Sequence, residues 1–340
     1  MTMQGWMFFV AAMAAPTPMQ DDWATCASED DAVPREYVVA ACEALLRLED
    51  LEPAELATPY FYRGRVRLLQ ADYRGAIADY DMVVRLIPEE ANAFYNRGAA
   101  HAGLADWDRA VRDYDRAIAL EAGRADFHVA RGEAHSQAQR WEQAGADLDA
   151  ALALDPQLAA AYAHRGFVWY HRGERERAMA DYDRALALNP DDPITFLNRG
   201  NLRLEMDDYA AAEADLSRAA ALQPQDAGIR AGRARAFLGL GDAGRARADL
   251  EQALAADPSL PEGRYLRGLL RLGEQDWTGA LADLDAAVAR EPELAPFLFA
   301  RGVAMIRLGR EEEGRHAVAD ALIRDPAAGE DFERFGIPRP

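Results

Sequence analysis

The sequence predicts an all-α solenoid of eight helical hairpins with a capping helical segment at each end. Three observations carry this. An Arg-Gly pair recurs at a fixed 34-residue step, small residues follow each pair at fixed distances, and a proline closes nearly every unit. The pairs are Arg63-Gly64, Arg97-Gly98, Arg131-Gly132, Arg165-Gly166, Arg199-Gly200, Arg267-Gly268 and Arg301-Gly302; the one gap holds Arg233-Ala234. Twelve residues after each Gly position stand Ala76, Ala110, Ala144, Ala178, Ala212, Ala246, Ala280 and finally Gly314. Small residues at these places let two helices approach closely, and a larger one between them (Tyr80, Tyr114, Leu148, Tyr182, Leu216, Leu250, Leu284) fills the space beside the contact. Ala76, Tyr80 and Val83 keep one helical face inward. Proline (Pro88, Pro156, Pro190, Pro224, Pro258, Pro292, Pro326) stops the second helix, and only Ala122 breaks that row. A hairpin this short cannot bury its apolar face alone, so neighbours must stack.

The elements follow in chain order. Residues 1–15 read as a signal peptide. Trp6–Ala15 is one apolar stretch, too short to span a bilayer as a helix, and Ala12-Met13-Ala14 fits the small-x-small pattern cut near Ala14 or Ala15. That predicts a periplasmic or secreted protein with no stable membrane insertion after cleavage. Met1–Gly5 lacks Arg and Lys, so an uncleaved anchor or a cytoplasmic chain is the alternative. Residues 16–56 form an N-terminal capping segment holding the only two cysteines, Cys26 and Cys42. Confined to one segment behind an export signal, they suggest a disulfide; two separate thiols are the alternative in a cytosolic chain. Residues 57–328 hold the eight repeats, and 329–340 the C-terminal cap, where Phe332, Phe335 and Ile337 cover the exposed end of the last hairpin.

Each repeat carries an Arg in its first helix and an Asp in its second: Asp79, Asp113, Asp147, Asp181, Asp215, Asp249 and Asp283. The Asp row ends one repeat early, at Ala317. Pairing each Arg with the Asp of the preceding repeat uses every carboxylate, which predicts pairs such as Asp79–Arg97 and Asp249–Arg267.

The chain carries 58 acidic residues against 38 arginines, has no lysine, and has a formal charge of -20. Such a chain repels phosphate backbones and acidic membrane surfaces, so nucleic acid is excluded as a ligand. No Walker loop, nucleophile elbow or His-Glu-x-x-His helix occurs. Gly239, Gly241 and Gly244 spell a Gly-x-Gly-x-x-Gly, but they fall on a turn between two helices with no strand before it. His101 and His135 occupy equivalent positions one repeat apart, too far to share a metal; His164 and His171, seven apart on a helix, lie about 10 Å apart. The sequence therefore assigns no catalytic residue, cofactor or metal, and reads as a non-enzyme.

Period and residue types together resemble the tetratricopeptide repeat (TPR) family over residues 57–328, about four-fifths of the chain. The Asp-aromatic-Asp runs (Asp79-Tyr80-Asp81, Asp113-Tyr114-Asp115, Asp181-Tyr182-Asp183) resemble one subset of it, and the Cys pair ahead of the array resembles its secreted bacterial members. The resemblance implies a right-handed superhelix with first helices on its concave side, and a scaffold that binds a protein or peptide there. The face opposite the packing face then holds the candidate contacts: Phe61 and Tyr62; Tyr95 and Asn96; His164, Phe167, Tyr170 and His171; Asn198 and Asn201; and Tyr265. Aromatic rings hold side chains of an extended peptide, and carboxamides bond its backbone. Asn96 and Asn198 stand where other family members grip peptide backbone. The family's chaperone-tail clamp does not carry over, since Phe61, Asp126 and Ala130 occupy three of its positions. The alternative role is a structural assembly component, contacted through its convex face or its ends; a metal-binding or enzymatic protein is the third and weakest reading.

Overall fold

The computed structural model describes residues 18–30 and 32–338 of the 340-residue chain. The signal-peptide reading of residues 1–15 lies outside them. Among the described residues there are nineteen α-helices and no strand. Two N-terminal helices, α1 (Pro18–Cys26) and α2 (Arg35–Leu45), precede eight hairpins. The hairpins are α3 (Pro53–Leu69) with α4 (Tyr73–Leu86), α5 (Ala91–Gly103) with α6 (Trp107–Leu120), and α7 (Ala125–Gln137) with α8 (Trp141–Leu154). Next come α9 (Ala159–His171) with α10 (Arg175–Leu188), α11 (Pro193–Glu205) with α12 (Tyr209–Leu222), and α13 (Ala227–Gly239) with α14 (Ala243–Ala256). The last are α15 (Pro261–Gly273) with α16 (Trp277–Arg290) and α17 (Ala295–Arg307) with α18 (Glu311–Arg324), followed by α19 (Glu330–Arg334).

The same local chemistry turns each hairpin. One residue adopts a left-handed backbone between the two helices: Ala71, Ala105, Gln139, Gly173, Asp207, Gly241, Gln275 and Gly309, all with φ between 56° and 81°. That conformation lets the next amide reach back to the first helix, as Asp72 N–H does to the Arg67 carbonyl. The following residue caps the second helix, and the side chains of Asp72, Asp106, Asp208, Asp242 and Asp276 each accept a backbone N–H there. Inside the hairpin the small-residue row is buried without exception, from Ala76 to Ala280 and Gly314. Gly98 shows why it must be small, since a Cβ there would stand 2.7 Å from the Tyr114 ring.

The chain divides into two compact units, residues 1–156 and 157–340. In the first, Cys26 and Cys42 form a disulfide that joins α1 to α2. Both cysteines are fully buried in a cluster with Val38, Ala41, Leu45 and Val66, so the N-terminal segment seats on the first helix of repeat 1. The hairpins α3/α4 to α7/α8 stack behind it, second helix on next first helix. The second unit stacks α9/α10 to α17/α18 in the same way. Within each unit, first helices of neighbouring repeats also touch (α3 on α5 and α5 on α7; α11 on α13, α13 on α15 and α15 on α17), and second helices do so less. First helices therefore line the inner side of each stack.

The ion pairs depart from the expected register. Every ladder Arg but Arg301 bonds the Asp of its own repeat, sixteen residues on: Arg63 to Asp79, Arg97 to Asp113, Arg131 to Asp147, Arg165 to Asp181, Arg199 to Asp215 and Arg267 to Asp283, at 2.5–3.1 Å. Arg233 meets Asp249 at 2.7 Å, which overturns the predicted Asp249–Arg267 pair, and Arg97 passes over Asp79 likewise. The reason is hairpin geometry: the two helices run antiparallel, so Arg and Asp sixteen apart face each other across one hairpin. The preceding repeat is reached by the guanidinium's remaining nitrogen, which meets the other Asp of the run: Arg97–Asp81 at 2.7 Å, Arg131–Asp115 at 2.5 Å and Arg199–Asp183 at 2.6 Å. Arg301, facing Ala317, bonds Asp285 of repeat 7 at 2.6 Å. A planar fork of five donors can bridge this way.

In six of the eight repeats the residue four after the ladder Arg supplies a further partner to the same buried Asp; Phe237 and Met305 hold the place in repeats 6 and 8. Arg67, Arg203 and Arg271 pair with Asp79, Asp215 and Asp283 at 2.6–2.7 Å, and the Trp169 indole N–H donates to Asp181 at 3.0 Å. His101 and His135 hold this position, 3.9 Å from Asp113 and 3.8 Å from Asp147. Burial holds both imidazoles below the ordinary histidine range despite the neighbouring carboxylate. Their equivalence one repeat apart is thus structural.

Candidate functional site

The inner face of first helices in the first unit is largely occupied by its own packing. Phe61 meets Tyr80 edge-on at 5.8 Å, and Tyr95 stacks on Phe127 at 5.0 Å. Tyr62 packs against the disulfide-bonded N-terminal segment, and Asn96 is half-buried beside Tyr80. These candidates line the face, but the structure does not gather them into one pocket.

The second unit does gather some. On α9, Phe167 and His171 pack edge-on at 4.3 Å and Tyr170 meets His171 at 5.1 Å; His164, two turns earlier, is half-buried. The Tyr170 hydroxyl donates to the Glu205 carboxylate, which also meets Arg175 at 3.1 Å. Burial first, then Glu205, pushes the Tyr170 phenol up to about 12. Burial lowers the His171 imidazole from its ordinary value, opposed by Glu205. On α11, Asn201 is exposed and Asn198 half-exposed, and neither carboxamide hydrogen-bonds any described residue.

Beyond Tyr170 and Asn201 a cavity of about 350 Å³ opens along the same face. Its walls are Tyr170, Asn201, Glu205 and Tyr209 on one side, and Gly228, Gly232, Arg235 and Glu262 on the other. Gly228 and Gly232, four apart on α13, leave one stretch of that wall without side chains. Glu262 meets Arg235 at 3.3 Å; burial lifts its carboxyl above the ordinary range against the opposing pull of Arg235, although 40% of the side chain still meets solvent. Amide, guanidinium and carboxylate groups thus surround one space, a set that pairs both kinds of backbone polar group on an extended peptide.

The floor of the cavity comes from the chain's own C-terminus: Asp331, Arg334 and Phe335. The C-terminal segment packs on the last hairpin through Phe332 and Ile337 and reaches further than that end. It turns back across the first helices of repeats 6, 7 and 8. The buried Asp331 carboxylate accepts from Arg235 on α13 at 2.7 Å and from the Tyr265 hydroxyl on α15 at 2.8 Å. Phe332, fully buried, meets Phe299 on α17 edge-on at 5.2 Å. Gly329 fits over the Phe299 ring, where a Cβ would come within 2.7 Å. Tyr265 is therefore covered, 1% exposed, and not free to touch a ligand as expected. Sequence reasoning missed Glu262, Asp331 and Arg334, because Asp331 lies outside the period and its Arg235 partner stands 96 residues earlier. The acidic-aromatic pair Asp331-Phe332 was the available signal.

Models described as tetratricopeptide repeat match residues 132–195 and, for a second model, residues 95–159, 197–261 and 265–330. No curated protein sequence matches this one. Among solved structures, the chain is similar to one from the functional characterization of Pseudomonas aeruginosa pilF, at 19% identity and TM-score 0.57, over 63% of this chain and 98% of that one. The APC/C hetero-tetramer Cut9-Hcn1 is similar at 12% identity and TM-score 0.62, over 94% of this chain and 62% of that one. A tetratricopeptide repeat protein from Parabacteroides merdae is similar at 17% identity and TM-score 0.55, over 78% and 98%. At these identities the likeness to solved structures shows the fold alone.

Proposed function

The chain belongs to the tetratricopeptide repeat family, and from that premise we propose that it is a non-catalytic scaffold holding a protein or peptide partner on the inner face of its first helices, in the bacterial cell envelope. One observation carries the reading: that face in the second unit already accommodates a peptide segment, residues 330–338, with an open cavity and the unbonded Asn201 carboxamide beside it. The Cys26–Cys42 disulfide supports the location, since such bonds persist in oxidising compartments, and so does the reading of residues 1–15 as an export signal.

The test is co-purification from the native host. A stoichiometric polypeptide should be recovered with the native chain and lost with Tyr170→Ala and Asn198→Ala; recovery unchanged by both variants contradicts use of this face. Mass measurement of the mature protein checks location, with cleavage near Ala14 or Ala15 and a mass two hydrogen atoms below the dithiol expected. A structural-assembly role has one observation in its favour: Leu322 and Ile323 on the last second helix are exposed, Ile323 by 83%. Under that role Ile323→Asp, and not the α9 and α11 variants, abolishes the association.

A further inference from the structure

We propose that residues 330–338 are a tethered ligand: the inner face of repeats 6–8 recognises an acidic-aromatic peptide segment, and a partner protein carrying one binds by displacing the tail. This rests on the reading of the first-helix face as the partner site and names the partner's chemistry.

The tail is recognised as a groove recognises a peptide, by side chains from three separate helices: Arg235 on α13, Tyr265 on α15 and Phe299 on α17. Asp331, Phe332 and Ile337 are buried, Phe335 packs against the same core, and Arg307 donates to the Pro338 carbonyl at 3.3 Å, whereas Glu330, Glu333, Arg334, Gly336 and Pro338 are exposed. Arg334 reaches out to Asp207 at 3.2 Å, an exposed pair of small worth. A chain-terminal segment with five of its nine residues exposed can open while the repeats beneath it stay folded. Once it opens, Arg235 keeps only the Glu262 contact at 3.3 Å, and the Tyr265 hydroxyl loses its acceptor. An incoming segment must therefore bring a carboxylate, with an aromatic ring one residue further on to fill the place against Phe299. A basic or purely aliphatic segment leaves those donors unpaired. The adjoining cavity, reaching to Tyr170 and Asn201, gives a longer external peptide contacts the tail does not make.

The experiment uses the full chain with Asp331→Ala and Phe332→Ala, which frees the face, and a fluorescent synthetic peptide copying Ala327–Pro338. By anisotropy, the variant should bind the peptide at least about tenfold more tightly than the native chain, where the tail competes. Alanine at either key position of the peptide, or Arg235→Met in the variant, should weaken binding by about tenfold or more, the equivalent of one charge-assisted hydrogen bond. Absence of binding by a variant with native circular dichroism overturns the proposal, as does equal binding by native chain and variant. If the variant does not fold, amide hydrogen exchange on the native chain decides. Amides of 331–337 exchanging far faster than those of α15 and α17 support a detachable tail, and equal protection refutes one. Concentration-dependent dimers of the native chain that vanish with Phe332→Ala would make the occupant a second copy's tail and overturn the assignment to a partner. Should the peptide fail while partner capture still depends on Tyr170, the scaffold reading survives and only this inference falls.

Discussion

Removing the carboxylate of Asp283 should cost far more than removing the guanidinium of Arg301, although both belong to the same ladder. Asp283 is 1% exposed and accepts four hydrogen bonds: two from Arg267 at 2.7 Å, one from Arg264 at 2.8 Å and one from Arg271 at 2.7 Å. Burial pulls its carboxyl up, but the bonds from Arg267 and Arg264 outweigh this and hold it below the ordinary carboxylate range. Deleting one partner of a buried pair costs about 3–5 kcal/mol. The three guanidiniums are 21–29% exposed and recover some hydration, so Asp283→Ala falls at the low end, about 3 kcal/mol. Arg301 faces Ala317 and bonds only Asp285, a carboxylate 48% exposed, so Arg301→Ala costs at most about 1 kcal/mol. Urea unfolding reads the contrast: with a slope of about 3 kcal/mol per molar, Asp283→Ala moves the midpoint by about 1 M and Arg301→Ala by a third of that or less. Slopes must match that of the native chain, since repeat arrays need not unfold all-or-none. Equal shifts for the two variants, or a shift for Asp283→Ala below about 0.3 M, would refute the argument.

Other consequences follow from single positions. Ala105 holds φ 56°, a conformation costing an alanine about 1 kcal/mol, so Ala105→Gly should raise the melting temperature and Gly173→Ala, at φ 76°, should lower it. A Cβ on Gly302 would stand 2.8 Å from the Gly314 carbonyl oxygen and 2.9 Å from the Val318 nitrogen; backbone atoms cannot swing aside, so Gly302→Ala should destabilise by about 2 kcal/mol in urea titration. His101 and His135 bind a proton less readily folded than unfolded. Above about pH 6.5 both states are neutral and stability is unaffected; as pH falls below it the unfolded chain charges first and stability drops. The double variant His101→Gln, His135→Gln should flatten the fall between about pH 6.5 and 5 in thermal melts.

The repeat was legible because its determinants are local. The spacing of Gly98, Ala110 and Tyr114 follows from close helix contact within one hairpin, and the same constraint recurs in each. The ladder's register was misread because counting carboxylates does not reveal which face each occupies. Asp79 and Asp81 are two apart on a helix and so point to different neighbours, one to Arg63 inside the hairpin and one to Arg97 of the next. The candidate face was legible only in part. An aromatic residue on a first helix serves equally as packing or as contact, and nothing local separates Tyr170, which lines the cavity, from Tyr265, which the tail covers. That cover depends on Asp331, a residue with no counterpart in the repeats, folding back over three of them.

The central claim, that the inner face of first helices is where a partner is held, is tested most directly by site-specific photo-crosslinking in the native host. A photoreactive residue at Asn201 on α11 should trap a discrete polypeptide, and the same residue at the exposed Gln252 on second helix α14 should not. Trapping at Gln252 with none at Asn201 would contradict it.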